Sequence, residues 1–503
     1  MKNEKPLSRK RRLAINSVFS FASWLVPLLV SFVATPIIVR GLGTESYGLY
    51  ALISGFISYS FSFGIGKTAA KYVAEYSSAG NVGKIGEVLS AIFWFSLSVG
   101  LIGTAVIAIS ATFIVSEVLQ IPPEAQPLAV TALYLACVTI LVYMLSQIFQ
   151  FALQGLHRFD KYSILINLNG ILMNGGNILI VWRGGGVLAL LCWNLIVVSL
   201  ICVLFYISAR KLIPEARIRF KFDRDMTIDV LKYGASIILY QVFGNLLLIF
   251  ERAWVTRKLG PHSLTFYVVP MSLAIYLHGF ISSLVLVLFP FVNELLGDLD
   301  KLTLIYRKAN KIVIAVVAFC VLTLVCGGKL FLYVWIGQDF AEGAFNVLVI
   351  HLFTFGILAV MTISWQLAEG FGYAGLNAIS SFTWVIISVP LMIFSAENWH
   401  NEGIAFSRLV GVIATVPLIF YIERKFLKII DWKYWLKLAV CIAAAVVGAV
   451  LVEKMVFMRG NPTWLGLFAG GGAGAAAYFI ILLATGFLTR EERTMLREML
   501  PGR

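Results

Sequence analysis

What most constrains this chain is the recurrence, from end to end, of apolar stretches about 20 residues long separated by short polar breaks. A stretch of that length, wound as a helix, crosses a hydrocarbon layer of about 30 Å. Inside lipid every backbone N–H and C=O must find a partner within the protein, so only helices and closed barrels cross. Barrel strands run to about 10 residues and alternate apolar with polar, whereas these runs are longer and do not alternate. Fourteen spanning helices are expected, over 13–39, 47–66, 88–113, 128–153, 163–182, 187–209, 234–255, 266–290, 312–336, 344–367, 377–396, 403–422, 436–452 and 464–487. The composition agrees: 60% of residues are hydrophobic and 13% charged, against about 25% charged in a soluble domain. The fold class expected is all-α integral membrane.

The large majority of the 40 Lys and Arg fall in the N-terminal tail and every second loop, which places those segments and both termini in the cytoplasm. Lys10, Arg11 and Arg12 precede the first apolar run, but no small-residue cleavage site follows, so an uncleaved first helix is expected. The net charge of +14 would suit a nucleic-acid partner only if gathered on a folded soluble module. None is apparent, and no nucleic acid is expected. The seven cations over 210–232 suit a cytoplasmic loop beside anionic lipid. Six cysteines, all inside apolar runs, match no zinc or redox spacing and read as packing residues.

The chain also repeats itself. Arg40, Leu42, Gly43, Ser46 and Tyr50, after the first span, match Arg257, Leu259, Gly260, Ser263 and Tyr267, after the seventh, at a constant offset of 217. Gln154-Gly155-Leu156 ends the fourth span and Glu369-Gly370-Phe371 the tenth, at an offset of 215. A shift of six spans preserves direction, so the repeats would be parallel, with an axis along the membrane normal and a substrate cleft between them. The expected organisation is an N-terminal six-helix bundle over 1–209, a cytoplasmic linker over 210–233, a C-terminal six-helix bundle over 234–430, and two further helices with a tail over 431–503. The Gly- and Ala-rich run at 470–477 lets the last helix approach a neighbour closely.

Several of these features together resemble the polysaccharide transporter (Wzx-type) family of the multidrug, oligosaccharidyl-lipid and polysaccharide (MOP) exporter superfamily. They are the basic N-terminus, the segment Arg40 to Tyr50, the turn Leu153-Gln154-Gly155-Leu156-His157-Arg158-Phe159 and the turn Leu259-Gly260. The resemblance implies a twelve-helix pair of bundles, MATE-like, with two extra helices. It implies a flippase in the bacterial inner membrane that carries undecaprenyl-diphosphate-linked oligosaccharide from the cytoplasmic to the periplasmic leaflet. It further implies ion-coupled or substrate-driven alternating access, no cofactor, and a polysaccharide polymerase with its chain-length machinery as partners.

A diphosphate and a hydrated glycan can cross lipid only through a wet cleft that supplies cations and amides, and charges at membrane depth are functional candidates. The diphosphate candidates are Arg40, Lys67, Arg252, Lys329 and Arg408. Arg40 and Lys67 have an interfacial reading too, in which the side chain snorkels to the headgroups. The sugar-contact candidates are Gln147, Gln150 and Gln154 on one face of the fourth span, and Gln241 with Asn245 on the seventh; Asn167, Asn174 and Asn177 add amides to the fifth. Helix-to-helix bonding is the alternative for all of them. Glu251 and His278 are the ion-coupling candidates, Glu251 because family members carry an acid near this point and His278 because imidazole titrates near neutral pH. Glu251 also suits a structural ion pair.

No Gly-Lys-Ser/Thr phosphate loop, metal-ligand cluster or long soluble loop appears, so no catalytic residue and no metal is expected. A membrane-embedded glycan polymerase or ligase would need a substantial periplasmic loop. A MATE-like small-molecule antiporter would call for a smaller and more acidic cavity.

Overall fold

The computed structural model describes residues 9–60, 65–214, 224–286, 298–428, 432–457 and 463–487, and these are helical nearly throughout. The elements are α1 (Arg9–Leu42), α2 (Thr44–Tyr59), α3 (Ile65–Ser78), α4 (Val82–Ile109), α5 (Gln126–Gly155), α6 (Phe159–Trp182) and α7 (Val187–Leu212). They continue with α8 (Arg224–Leu286), α9 (Leu299–Trp335), α10 (Gln338–Gly370), α11 (Ala374–Ile413), α12 (Pro417–Ile422), α13 (Trp432–Phe457) and α14 (Trp464–Ala484).

Among the described residues, eleven helical stretches are long and apolar enough to cross a membrane. Two of them are too long for one crossing. The 63 residues of α8 would reach about 95 Å at 1.5 Å per residue, and its backbone leaves the helical region at Gly260; α11 does so at His400. Each holds two spans, and with the 16-residue α2 the described residues give the fourteen expected. The outward surfaces fit a lipid environment: Leu101, Ile102, Val106 and Ile109 of α4 are all exposed, a pattern unsuited to water.

The backbone carries the duplication further than the side chains do. Gly43 (φ 77°) and Gly260 (φ 83°), 217 residues apart, both sit at positive φ. So do Gln120 and Gly337 (217 apart), His157 and Gly372 (215 apart), and Gly184 and His400 (216 apart). Positive φ is uncommon outside glycine, so four coincidences at nearly one spacing mark two copies of one helical unit, joined by the same sequence of turns. This is an all-α fold built on a duplicated run of spanning helices, followed by two further helices.

By internal packing the chain forms two compact units, 1–268 with 373–411, and 269–372 with 412–503. In the first, α1 lies along α6, and α5 is flanked by α2, α3, α4 and α7. Small residues set these approaches. Gly170 of α6 gives Pro27 its place, with 3.1 Å from an added Cβ to the proline Cβ, and Asn174 donates to Ser31 Oγ at 3.3 Å across the same seam. Gly403, Ser407 and Gly411, four apart on the second arm of α11, meet Ser395 and Trp384 of the first arm, the small-xxx-small packing of membrane helices.

Ties between ends of helices complete this unit. Arg257 donates to the carbonyls of Glu117 and Val118, Lys258 pairs with Glu397 at 2.7 Å, and Thr44 Oγ1 lies 2.8 Å from His262 Nδ1. In the second unit α9 packs on α10, α13 and α14. There the small face expected on the last helix is buried through Gly470 and Gly474, and Tyr478 below it donates to Ala315 O at 2.8 Å.

Candidate functional site

In the first unit, α2 turns two different faces to its neighbours. Ser54 and Ser58, one helical turn apart, face α5, α6 and α7; Gly55 and Tyr59, rotated by about 100°, face Arg252.

Behind the first face lies a cavity of about 270 Å³. Each wall is a single helical stripe. From α5 come Thr139, Tyr143, Ser146 and Gln150, spaced i, i+4, i+7, i+11. From α2 come Tyr50, Ser54 and Ser58, while Asn169 stands on α6 and Asn194 on α7. Apolar Ile57, Ile166, Met173, Val198 and Ile201 fill the gaps between them. Among the described residues the lining holds hydroxyls, amides and two phenols, and no formal charge.

Its polar groups are held in place from outside. Tyr50 Oη accepts from Asn177 Nδ2 at 3.1 Å and Asn194 Nδ2 at 3.0 Å, which leaves its own hydrogen to donate. Gln150 Nε2 donates to Ser146 Oγ at 3.1 Å. Asn194 is 6% exposed, yet its Oδ1, like Asn169 Oδ1 and Ser54 Oγ, has no hydrogen-bond partner among the described residues. Native proteins leave few buried polar atoms unpaired, and each asks for an explanation.

Against the second face lies a cluster of charge. Arg408, 1% exposed, donates from Nη1 to Oε2 of the fully buried Glu251, and the Tyr267 side chain adjoins the same carboxylate. The guanidinium of Arg408 also lies 4.8 Å from the Trp384 ring centre, and Trp384 Nε1 donates to the Arg408 carbonyl at 3.3 Å. Arg252, 5% exposed, adds a second cation beside Glu251. Its guanidinium lies 5.0 Å from the Tyr59 ring centre and donates to Leu248 O at 3.1 Å, but no carboxylate lies within ion-pair distance among the described residues. Gly55 makes this possible, since an added Cβ would occupy the Arg252 side chain's space. Two cations against one anion leave the cluster positive inside an apolar body, an arrangement that asks for a further anion.

Of the residues singled out in the sequence, Glu251, Arg252 and Arg408 are brought together, and Gln150 reaches the cavity. Gln147 and Gln154 share its helix but are half-buried beside Tyr143 and Tyr162, outside the cavity lining. Gln241 and Asn245 are half-buried on the first arm of α8, and Arg40 is exposed at the end of α1. Lys329, exposed, and His278, edge-on to Phe355, belong to the second unit. The side chain of Lys67 and residues 215–223 of the linker lie outside the described residues. Asn177 serves through Tyr50, Asn174 bonds Ser31, and Asn167 Nδ2 lies 3.5 Å from Ser163 Oγ.

What the sequence did not single out for the site is the hydroxyl stripe of α5 and the rings at Tyr59 and Trp384; Tyr50 stood out only as a residue of the repeat. The helically spaced positions 139, 143, 146 and 150 were there to be found, but Ser, Thr and Tyr are ordinary in apolar helices and gave no contrast.

A duplicated multi-span helical body with a polar, partly charged interior defines a membrane transporter fold. The chain belongs to the polysaccharide biosynthesis protein family, whose model matches residues 37–345. It is 20% identical over 409 residues to a Shigella flexneri protein described as "Putative O-antigen transporter", covering 80% of this chain and 96% of that one. Several solved structures share the fold, two of them as follows. The lipid II flippase MurJ in an inward closed conformation superposes with a TM-score of 0.72, 14% identity, over 96% of this chain and 100% of that chain. An inward-facing multidrug resistance MATE family transporter of the MOP superfamily gives 0.68, 16% identity, over 81% and 99%.

Proposed function

We propose that this protein is a flippase that carries a lipid-linked oligosaccharide, joined to its lipid through a diphosphate, from the cytoplasmic to the periplasmic leaflet of a bacterial inner membrane. Its two bundles, 1–209 and 234–430, alternate access to the two sides with both termini cytoplasmic, driven by an ion gradient or by the substrate itself. The exported intermediate would feed a polymerase and its chain-length machinery. The observation that carries the proposal is the buried Arg252, a cation in excess of the Glu251–Arg408 pair, one helix face away from a cavity of amides and hydroxyls. A diphosphate supplies the missing anion, and a guanidinium fork is matched to phosphate oxygens. A small organic cation, the cargo of an antiporter, would be repelled by the same cluster. Family membership and the transporter named among the relatives support this reading and favour it over a polymerase or ligase.

Deletion of the gene tests it. The expected result is a lipid-linked glycan accumulating in the cytoplasmic leaflet while its assembly continues; normal surface polysaccharide with no trapped intermediate would exclude the proposal.

A further inference from the structure

We infer that the cavity between α2, α5, α6 and α7 binds a single uncharged pyranose ring, which makes this chain selective for glycans that present a neutral sugar there. The inference rests on the flippase proposal for the identity of the cargo, and on the cavity alone for its chemistry.

Three properties of the cavity point the same way. Its volume of about 270 Å³ lies just below the range of about 300–1,000 Å³ found for small-molecule sites. That accommodates one six-membered ring and not a run of several. Among the described residues its lining contains no Lys, Arg, His, Asp or Glu. A uronate or sialate carboxylate enclosed there would lose its water and gain no cation, a heavy cost in an apolar body.

The third property is the division of its surface. A pyranose has a rim of hydroxyls, each able to donate and accept, and two faces of C–H groups. Tyr143 and Ile201, both in the lining, would offer apolar surface to those faces. Around them Asn194 Oδ1, Asn169 Oδ1 and Ser54 Oγ are buried acceptors that have no partner among the described residues, and the Tyr50 hydroxyl, held by two amides, has a hydrogen to give. A cavity meant to stay dry would leave these groups unsatisfied at a cost. Water could fill some of them, but water has no use for the apolar faces between. Arg252 lies on the other face of α2, so a diphosphate and a neutral ring would be recognised on separate surfaces of one helix.

The test is saturation-transfer NMR on the full chain in lipid nanodiscs with methyl glycosides as probes: the neutral gluco, galacto, manno and N-acetylglucosamine forms against the glucuronide and galacturonide. At least one neutral glycoside is expected to bind at least about ten-fold more tightly than either uronide. Ser146→Phe, which fills the cavity, should abolish that binding. Because a filled cavity can also harm folding, Gln150→Arg is the decisive variant: a cation in the lining should bring uronide binding up to or above the neutral level. Absence of binding by every neutral glycoside, equal binding of uronides by the unaltered chain, or no change in preference with Gln150→Arg would each overturn the inference. If the chain moves lipid-linked glycan in vesicles but binds none of the probes, the cavity assignment falls and the flippase proposal stands. If it binds neutral probes but moves no glycan, the flippase proposal falls, and the assignment of the cavity to transported cargo falls with it.

Discussion

Glu251 and Arg408 lie 157 positions apart in the chain and close a single ion pair from which solvent is almost wholly excluded. Arg252 stands beside them, so the two members of the pair are not equivalent. Glu251→Gln would leave two buried cations without an anion and should cost about 3–5 kcal/mol. Arg408→Gln leaves Glu251 facing Arg252, and the loss should stay nearer the about 1–3 kcal/mol of an unsatisfied buried group. Denaturation in detergent of both variants measures the order. Equal losses, or the reverse order, would mean that the Arg252 charge does not act on Glu251.

Gly55 is where the chain admits Arg252. Gly55→Val should push the guanidinium off the Tyr59 ring and cost about 1–3 kcal/mol through overpacking. Glycan export should fall as far as it does with Arg252→Gln, and combining the two changes should add little. Export that survives Gly55→Val in a folded protein would show that the placement of Arg252 on Tyr59 is not required.

Much of this is legible in the sequence. Apolar run length alone marked the fourteen spans, because lipid leaves the backbone no other choice. The repeat was visible at Gly43/Gly260 because both copies kept glycine. At Gly184/His400 and Gln120/Gly337 only the backbone kept the pattern while the side chains diverged, so no residue comparison could show it. Charge was legible for the same reason: Glu251, Arg252 and Arg408 are rare residue types in apolar spans. Their mutual contact was not, since α11 must bend at His400 before Arg408 can reach α8. The cavity was the least legible part. Gln147, Gln150 and Gln154 share a helix face broadly, yet only Gln150 lines it, and which side of that face is chosen depends on how α5 is rotated against α2 and α7.

The four turn pairs make a prediction of opposite signs. Gly260, at φ 83° and ψ 167°, occupies a region closed to residues with a Cβ, and Gly260→Ala should destabilise by about 1–3 kcal/mol. His400 sits at φ 46° and ψ −136° where its counterpart Gly184 is glycine. His400→Gly should therefore be neutral or stabilise by about 1 kcal/mol. Thermal midpoints of the two variants decide this, and a large loss with His400→Gly would show that its imidazole carries structure that the turn does not.

Tyr50 holds two amides through one oxygen. Tyr50→Phe keeps the ring and strands Asn177 and Asn194, for an expected loss of about 1–3 kcal/mol. Export of the glycan should fall with it, because Asn194 lines the cavity. Unchanged stability and export would mean that this network is incidental.

The most direct measurement is transport by the purified chain in proteoliposomes loaded with a lipid-linked oligosaccharide, read as the fraction of glycan exposed on the far leaflet to a sugar-cleaving enzyme. The unaltered chain should raise that fraction well above empty vesicles, and Arg252→Gln, reconstituted to the same level, should bring it back to theirs. Exposure no greater than in empty vesicles for the unaltered chain, or full exposure with Arg252→Gln, would contradict the account.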